Sequence, residues 1–328
     1  MTGASATEAQ LAQIVDAVRI ETMTRCAIGG RSIEVGPPLP NRFPPLPLVH
    51  RLQAELYTGA YCTRIGGGGF DQLSADAGEM VAALSAANAS RPQRDPNWLV
   101  LERDQAGVVT VAKRGMVRRL GPGELGPDVP ATGAVVSIPI MREVPDAGGF
   151  YFAYGETIES SPEGRPLLRF YWNVPVESAP ALMAALTRRL NEGGIPFAFK
   201  LPRRAQDYHR FDAGVLFVAT PRHDAVVARL PSIHAALADR LRPDVPLFTW
   251  RLAPGLGFAE DPGTDESFGM ARCRLLAEAL WTAFVRDVRD PPGILAEIGG
   301  HFLRNGLHLA AAHLRPWSVD RHRHAMLA

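Results

Sequence analysis

The spacing of apolar residues changes once along this chain, and that change limits the possible folds more than any single motif. Up to about residue 92 the hydrophobic positions recur at helical intervals, as in Leu11, Ile14, Val15 and Val18, and again in Leu48, Leu52, Leu56 and Tyr57. From Trp98 onward the runs are short and strand-like: 99–101, 108–111, 135–138 and 150–152, each broken by Gly, Pro or Asp. The runs 167–174, the segment around Lys200 and 214–218 continue the series. Helical patterns over 177–191, 223–241, 267–288 and 294–314 are interspersed with them, beside a short strand at 247–250 and an irregular loop at 252–262. Strands and helices do not alternate strictly, so a doubly wound parallel sheet is a poor fit. The expected fold is α+β. A mainly helical N-terminal region (1–92) precedes a core (93–328) with a mixed, largely antiparallel sheet, flanking helices and a helical C-terminal part.

Local punctuation agrees with this division. The proline-rich stretch 36–47 lacks too many backbone donors for helix or interior strand. The run Gly66–Gly69 reads as a flexible joint, without the Gly-Lys-Ser/Thr ending of a phosphate loop. Lys113-Arg114-Gly115 reads as a hairpin tip, and Gly193-Gly194 as a helix stop. Arg321 to His324 reads as a solvated end.

Composition removes several function classes. A formal net charge of +1 argues against broad phosphate neutralisation, hence against a nucleic-acid partner. Three scattered cysteines, Cys26, Cys62 and Cys273, form neither a disulfide framework nor a zinc pattern. Reduced thiols, no targeting leader and no apolar run near ~20 residues point to a soluble cytoplasmic protein without a membrane partner. No Gly-x-Ser-x-Gly elbow, dinucleotide fingerprint or kinase pattern is present, so no cofactor and no ATP site are expected. His301 and His308 lie seven apart, a spacing that would place them on one face of a helix and that amphipathic packing explains without a metal.

What remains is charge chemistry. Of 35 basic side chains only two are lysines, Lys113 and Lys200. Arginine stays protonated in proteins, whereas a buried lysine can become a neutral base. Lys200 lies in an apolar run and is followed by Arg203, Arg204 and Arg210, so it reads either as a base beside an anion site or as residual surface charge. Arg169, Arg210, Arg251, Arg272 and Arg274 could take a phosphate or carboxylate bidentately. Alternatively, each pairs with a nearby acid, among which Asp212, Glu260, Asp261, Asp265 and Glu266 are available.

Several motifs occur together in one order: Leu168-Arg-Phe-Tyr-Trp-Asn173, Pro196-Phe-Ala-Phe-Lys200, Tyr208-x-Arg210-x-Asp212, Phe248-Thr-x-x-Leu252-Ala-Pro-Gly-Leu-Gly-x-Ala259-Glu, and Glu266-Ser-Phe-Gly269 with Arg272-Cys-Arg274. In this the chain resembles the HopA-type effector family, with weaker agreement through Asp95–Trp98, Gly148–Gly155 and Leu52–Tyr61. Many members of that family serve in biosynthetic clusters for ribosomal peptides, including class V lanthipeptides and thioamitides. The resemblance implies a phospho-Ser/Thr lyase acting on a precursor peptide after an aminoglycoside-phosphotransferase-like kinase, leaving dehydroalanine or dehydrobutyrine. It implies Lys200 as base, Arg169 and Arg210 as first phosphate contacts, and Arg251, Arg272 and Arg274 as second, with Lys113 as an outside candidate. Where relatives carry histidine before the arginine matching Arg272, this chain has Ala271, so the leaving-group proton would fall to Tyr208 or His209. Alternatively, the arginines alone stabilise the departing phosphate. The departure also raises a non-catalytic, leader-binding or complex-stabilising partner as an alternative, and a secreted type III effector is a further one.

Overall fold

The computed structural model describes residues 3–37, 47–65, 77–126, 130–159 and 166–322. Its helices are α1 (Gly3–Ala17), α2 (Pro47–Leu56), α3 (Ala77–Ala87), α4 (Ala179–Glu192), α5 (His223–Val227), α6 (Leu230–Ala235), α7 (Phe268–Val285) and α8 (Pro291–Arg304). Its strands are β1 (Val18–Ile20), β2 (Arg25–Ile28), β3 (Arg31–Glu34), β4 (Gln93–Arg103), β5 (Val109–Lys113), β6 (Met116–Leu120), β7 (Val135–Ile140), β8 (Glu143–Ala147), β9 (Phe150–Tyr154), β10 (Leu167–Trp172), β11 (Ala198–Pro202), β12 (Gly214–Ala219), β13 (Trp250–Ala253) and β14 (Leu256–Glu260). They form three sheets, ordered β1-β2-β3, β6-β5-β4-β7 and β13-β14-β10-β12-β11-β9-β8. All strand pairs run antiparallel, and the fold is α+β as expected.

The seven-stranded sheet separates two cores, because side chains alternate between its faces. One face presents Leu168, Phe170, Trp172, Phe199, Leu216 and Phe258 to the apolar sides of α3, α4, α5 and α6. On the opposite face Tyr171, Val215 and Ala259 pack under α1, α2, α7 and α8. α4 keeps its expected stripe, with Leu182, Leu186 and Leu190 fully buried. Two side chains cap helices as their sequences allow: Ser267 accepts from the Met270 amide at α7, and Asp290 from the Gly293 amide at α8.

Several local readings change. The expected helix over 223–241 is broken into α5, α6 and a 3-10 turn, since Pro231 lacks the amide needed to continue it. Its apolar stripe, Val226, Leu230, Ile233 and Leu237, is nevertheless buried. The strand expected at 247–250 begins only at Trp250, after Phe248 adopts a φ of 70°. The supposed loop 252–262 is largely the β13–β14 hairpin, turned by Pro254-Gly255 with Gly255 at φ +72°. The mainly helical first region also carries the small β1–β3 sheet. His322, expected in a solvated tail, is buried and meets Glu260 at 3.1 Å. Gly66–Gly69, most of the proline-rich stretch, and His324 lie outside the described residues. Among the described residues no helix is long and apolar enough to cross a membrane.

Candidate functional site

β11 is an interior strand between β12 and β9, so Lys200 projects from the middle of a sheet rather than from a loop. Register pairs it with Val215 on β12 and Phe152 on β9, which fixes its face as the one that α2, α7 and α8 cover farther along the sheet. Over β9 and β11 the cover is incomplete. Phe150, Phe152 and Tyr154 alternate as half-buried residues, while Tyr151 and Ala153 between them are fully buried beneath the sheet.

The Lys200 ammonium lies 4.2 Å from the Phe150 ring centroid and 5.7 Å from that of Phe217. Burial lowers its pKa to about 8; Asp212 opposes that shift, while Arg169 and Arg210 reinforce it. Roughly a tenth of Lys200 is therefore neutral at pH 7, and more above, which no arginine in the site can offer.

Arg169 pairs with Phe217 across β10–β12 and lies 5.2 Å from the same ring that Lys200 approaches. Asp261 holds its guanidinium, accepting from Nε at 2.9 Å and also from Nη2. Arg210 follows the 3-10 turn 205–209 and is gripped by both Asp212 oxygens at 2.8 and 2.9 Å. Its Nη2 also donates to the Tyr57 hydroxyl at 2.7 Å, and its guanidinium lies 5.4 Å from that ring. Burial raises the pKa of Tyr57 and of Cys62, so both remain protonated, as neutral neighbours of these cations.

The other sequence candidates are placed elsewhere. Arg272 is buried, donates to the carbonyls of Ala312 (2.7 Å) and Leu314, and lies over Phe268; it ties α7 to the C-terminal segment rather than facing the lysine. Arg274 is held by Glu266 at 2.9 Å and Glu278 at 3.0 Å. Arg251 makes no ion pair among the described residues, but it sits on β13, four strands from β11, or ~19 Å across the sheet. Lys113 pairs with Asp95 at 2.7 Å in the separate four-stranded sheet, 6.0 Å from the Trp98 ring. The Tyr208 hydroxyl is in the opposite core, 3.8 Å from Met80 Sδ, which removes it as a proton donor to this face. His209 lies in the same turn, with Nδ1 2.6 Å from the Gln206 carbonyl. Thus Lys200, Arg169 and Arg210 come together, and the pairing alternative also holds for Arg169, Arg210 and Arg274. Tyr57, Phe150 and Phe217 are site neighbours not among the candidates; Tyr57 and Phe150 lie in the weakly matching segments 52–61 and 148–155, and Phe217 lies just past the Tyr208–Asp212 motif. Among the described residues no His/Cys/Asp/Glu group could hold a metal ion.

The sequence profile described as the HopA1 effector protein family matches residues 146–314. The chain belongs to the HopA1 effector protein family. The matched interval contains Phe150, Arg169, Lys200, Arg210, Asp212, Phe217 and Asp261, but not Tyr57 or Lys113. Among solved structures, an effector protein from Pseudomonas syringae pv. tomato strain DC3000 is 16% identical, with 80% of this chain and 90% of that one covered and a TM-score of 0.46. An effector from Pseudomonas syringae pv. syringae strain 61 is 12% identical, with coverage of 81% and 95% and a TM-score of 0.43. No curated protein matches the chain.

Proposed function

We propose that this HopA1-family chain is a carbon–oxygen lyase that eliminates phosphate from phosphoserine or phosphothreonine in a ribosomal precursor peptide, after a partner kinase has phosphorylated it. The observation that carries the reading is Lys200, a half-buried lysine of lowered pKa on an aromatic face, with Arg169 and Arg210 beside it. In the proposed step neutral Lys200 Nζ takes the α-proton of the phosphorylated residue. The Cα–H electron pair becomes the Cα=Cβ bond, and the Cβ–O bond breaks with its electrons staying on phosphate. Guanidinium N–H groups of Arg169 and Arg210 meet the negative charge as phosphate departs. With Tyr208 in the opposite core, alanine at 271 and His209 Nδ1 on the Gln206 carbonyl, the phosphomonoester reacts as its monoanion and leaves as hydrogen phosphate, stabilised by these cations. The step as written balances without a metal or an organic cofactor.

One observation favours a second reading. Asp212 and Asp261 already hold both arginines, so a phosphate must compete with carboxylates that are in place. A non-catalytic peptide-binding partner of the kinase would keep those pairs intact. The family's name adds a variant in which the phosphorylated substrate is a host protein. Incubating the purified chain with a phosphoserine peptide separates these readings by mass spectrometry. The lyase reading expects loss of ~98 Da, phosphoric acid, with wild type and none with Lys200→Ala. Unchanged mass in peptide that binds would reject the lyase in favour of the binding partner.

A further inference from the structure

A cavity of about 440 Å³ opens beside the lysine on the same sheet face. Its walls include Arg118, Met141, Tyr154, Ile158, Ala198 and Phe217. Phe217 is the ring that Lys200 and Arg169 both approach, so the cavity and the charged cluster share a wall. Register places the cavity along the sheet: Ala198 pairs with Phe217 on β12 and Tyr154 on β9, while Lys200, two residues on, pairs with Val215 and Phe152. Two residues of strand span ~6.6 Å, and side chains two apart in an extended peptide point the same way. The Arg210–Asp212 pair follows β11 and precedes β12, on the other side of Lys200 from the cavity.

Resting on the lyase reading for the role of Lys200, we infer that this cavity is a specificity subsite for the substrate peptide. It takes a large apolar side chain two positions from the phosphorylated residue, with the peptide extended along β11. The chemistry of the lining selects that occupant. Ile140, Met141, Ile158 and Ala198 offer no hydrogen bond, Tyr154 and Thr157 add one hydroxyl each, and Glu159 is engaged by Arg222 at 3.1 Å. Arg118 supplies a cation that disfavours a basic residue; exposed as it is, its pairing with an acidic one returns less than burying the carboxylate among mostly apolar walls costs. The volume suits one leucine-sized or phenylalanine-sized side chain together with adjoining peptide backbone.

The test uses fluorescein-labelled dodecapeptides with a central phosphoserine and either leucine or aspartate two positions to each side, together with their unphosphorylated forms. Anisotropy gives the affinity, and mass loss gives elimination. The leucine peptide should bind about 10-fold or more tightly than the aspartate peptide. Ala198→Phe, which fills the cavity, should erase that ratio. Met141→Asp at the exposed mouth should reduce it in a protein whose sheet is undisturbed. Equal affinities, no binding of either peptide, or a ratio unchanged in both variants would overturn the subsite. A leucine preference without loss of phosphoric acid would uphold the subsite and reject the lyase, so the two failures are distinguishable.

Discussion

Asp212 acts on two cations at once. Its carboxylate fixes the Arg210 guanidinium through both oxygens, and its charge partly restores the Lys200 pKa that burial has lowered. Replacing it with asparagine keeps the shape and removes the charge. Lys200 should then titrate below about 8, because the only opposing influence from a nearby carboxylate is gone. In the proposed step the neutral amine is the base, so elimination should rise with pH through that midpoint, and Asp212→Asn should move the rise to lower pH. The partly buried Arg210 would keep a neutral partner only, lowering stability by roughly 2–3 kcal/mol. A pH–rate profile and a denaturant titration check both effects; an unmoved midpoint would contradict the coupling. At this scale residue type and motif named Lys200, Arg169 and Arg210 as candidates, but the same signals named Arg251, Arg272, Arg274 and Lys113, which packing places elsewhere. The sequence could not reveal the contact of Tyr57, which reaches Arg210 from far upstream through tertiary packing alone. Nor could it show which core Tyr208 enters, since one 3-10 turn after β11 carries that ring to the opposite side of the sheet.

At the level of elements, α7 supports the site from a distance. A Cβ on Gly269 would lie 2.5 Å from the Tyr61 ring, so glycine is what lets the helix approach the turn that follows α2. Tyr61 stacks on Tyr57 at 5.4 Å, and Tyr57 accepts from Arg210. Gly269→Ala should therefore push the stacked pair, cost about 1–3 kcal/mol by overpacking, and slow elimination without touching the site. Denaturant unfolding and turnover measured on the same preparation test it; wild-type values for both would contradict the chain of contacts. The long periodic helices α1, α2, α4, α7 and α8 were legible because their apolar stripes repeat over several turns. β1–β3 were not, since three or four residues are too few to display alternation. The β13–β14 hairpin was hidden for a related reason: Pro254-Gly255 signals a turn, but its short flanking strands read as loop.

Across the whole molecule, a seven-stranded sheet is covered more completely on one face than on the other. The exposed part carries aromatic rings and the charged cluster, an arrangement that stability alone does not favour, since lowering the pKa of Lys200 is itself destabilising at neutral pH. The α+β class was legible from the irregular order of helical and strand-like segments. The faces were not, because they depend on strand order β10-β12-β11-β9, which adjacent motifs do not encode. The chain's two lysines give direct access to the central claim. Protein labelled with ¹³C and ¹⁵N in lysine alone carries two Cε signals, and Lys113→Arg leaves the one that belongs to Lys200. Followed by NMR from pH 6 to 11, that signal should titrate with a midpoint of about 8. A midpoint near the ordinary lysine value of 10.5 would mean an ammonium at working pH, and Lys200 could not be the base.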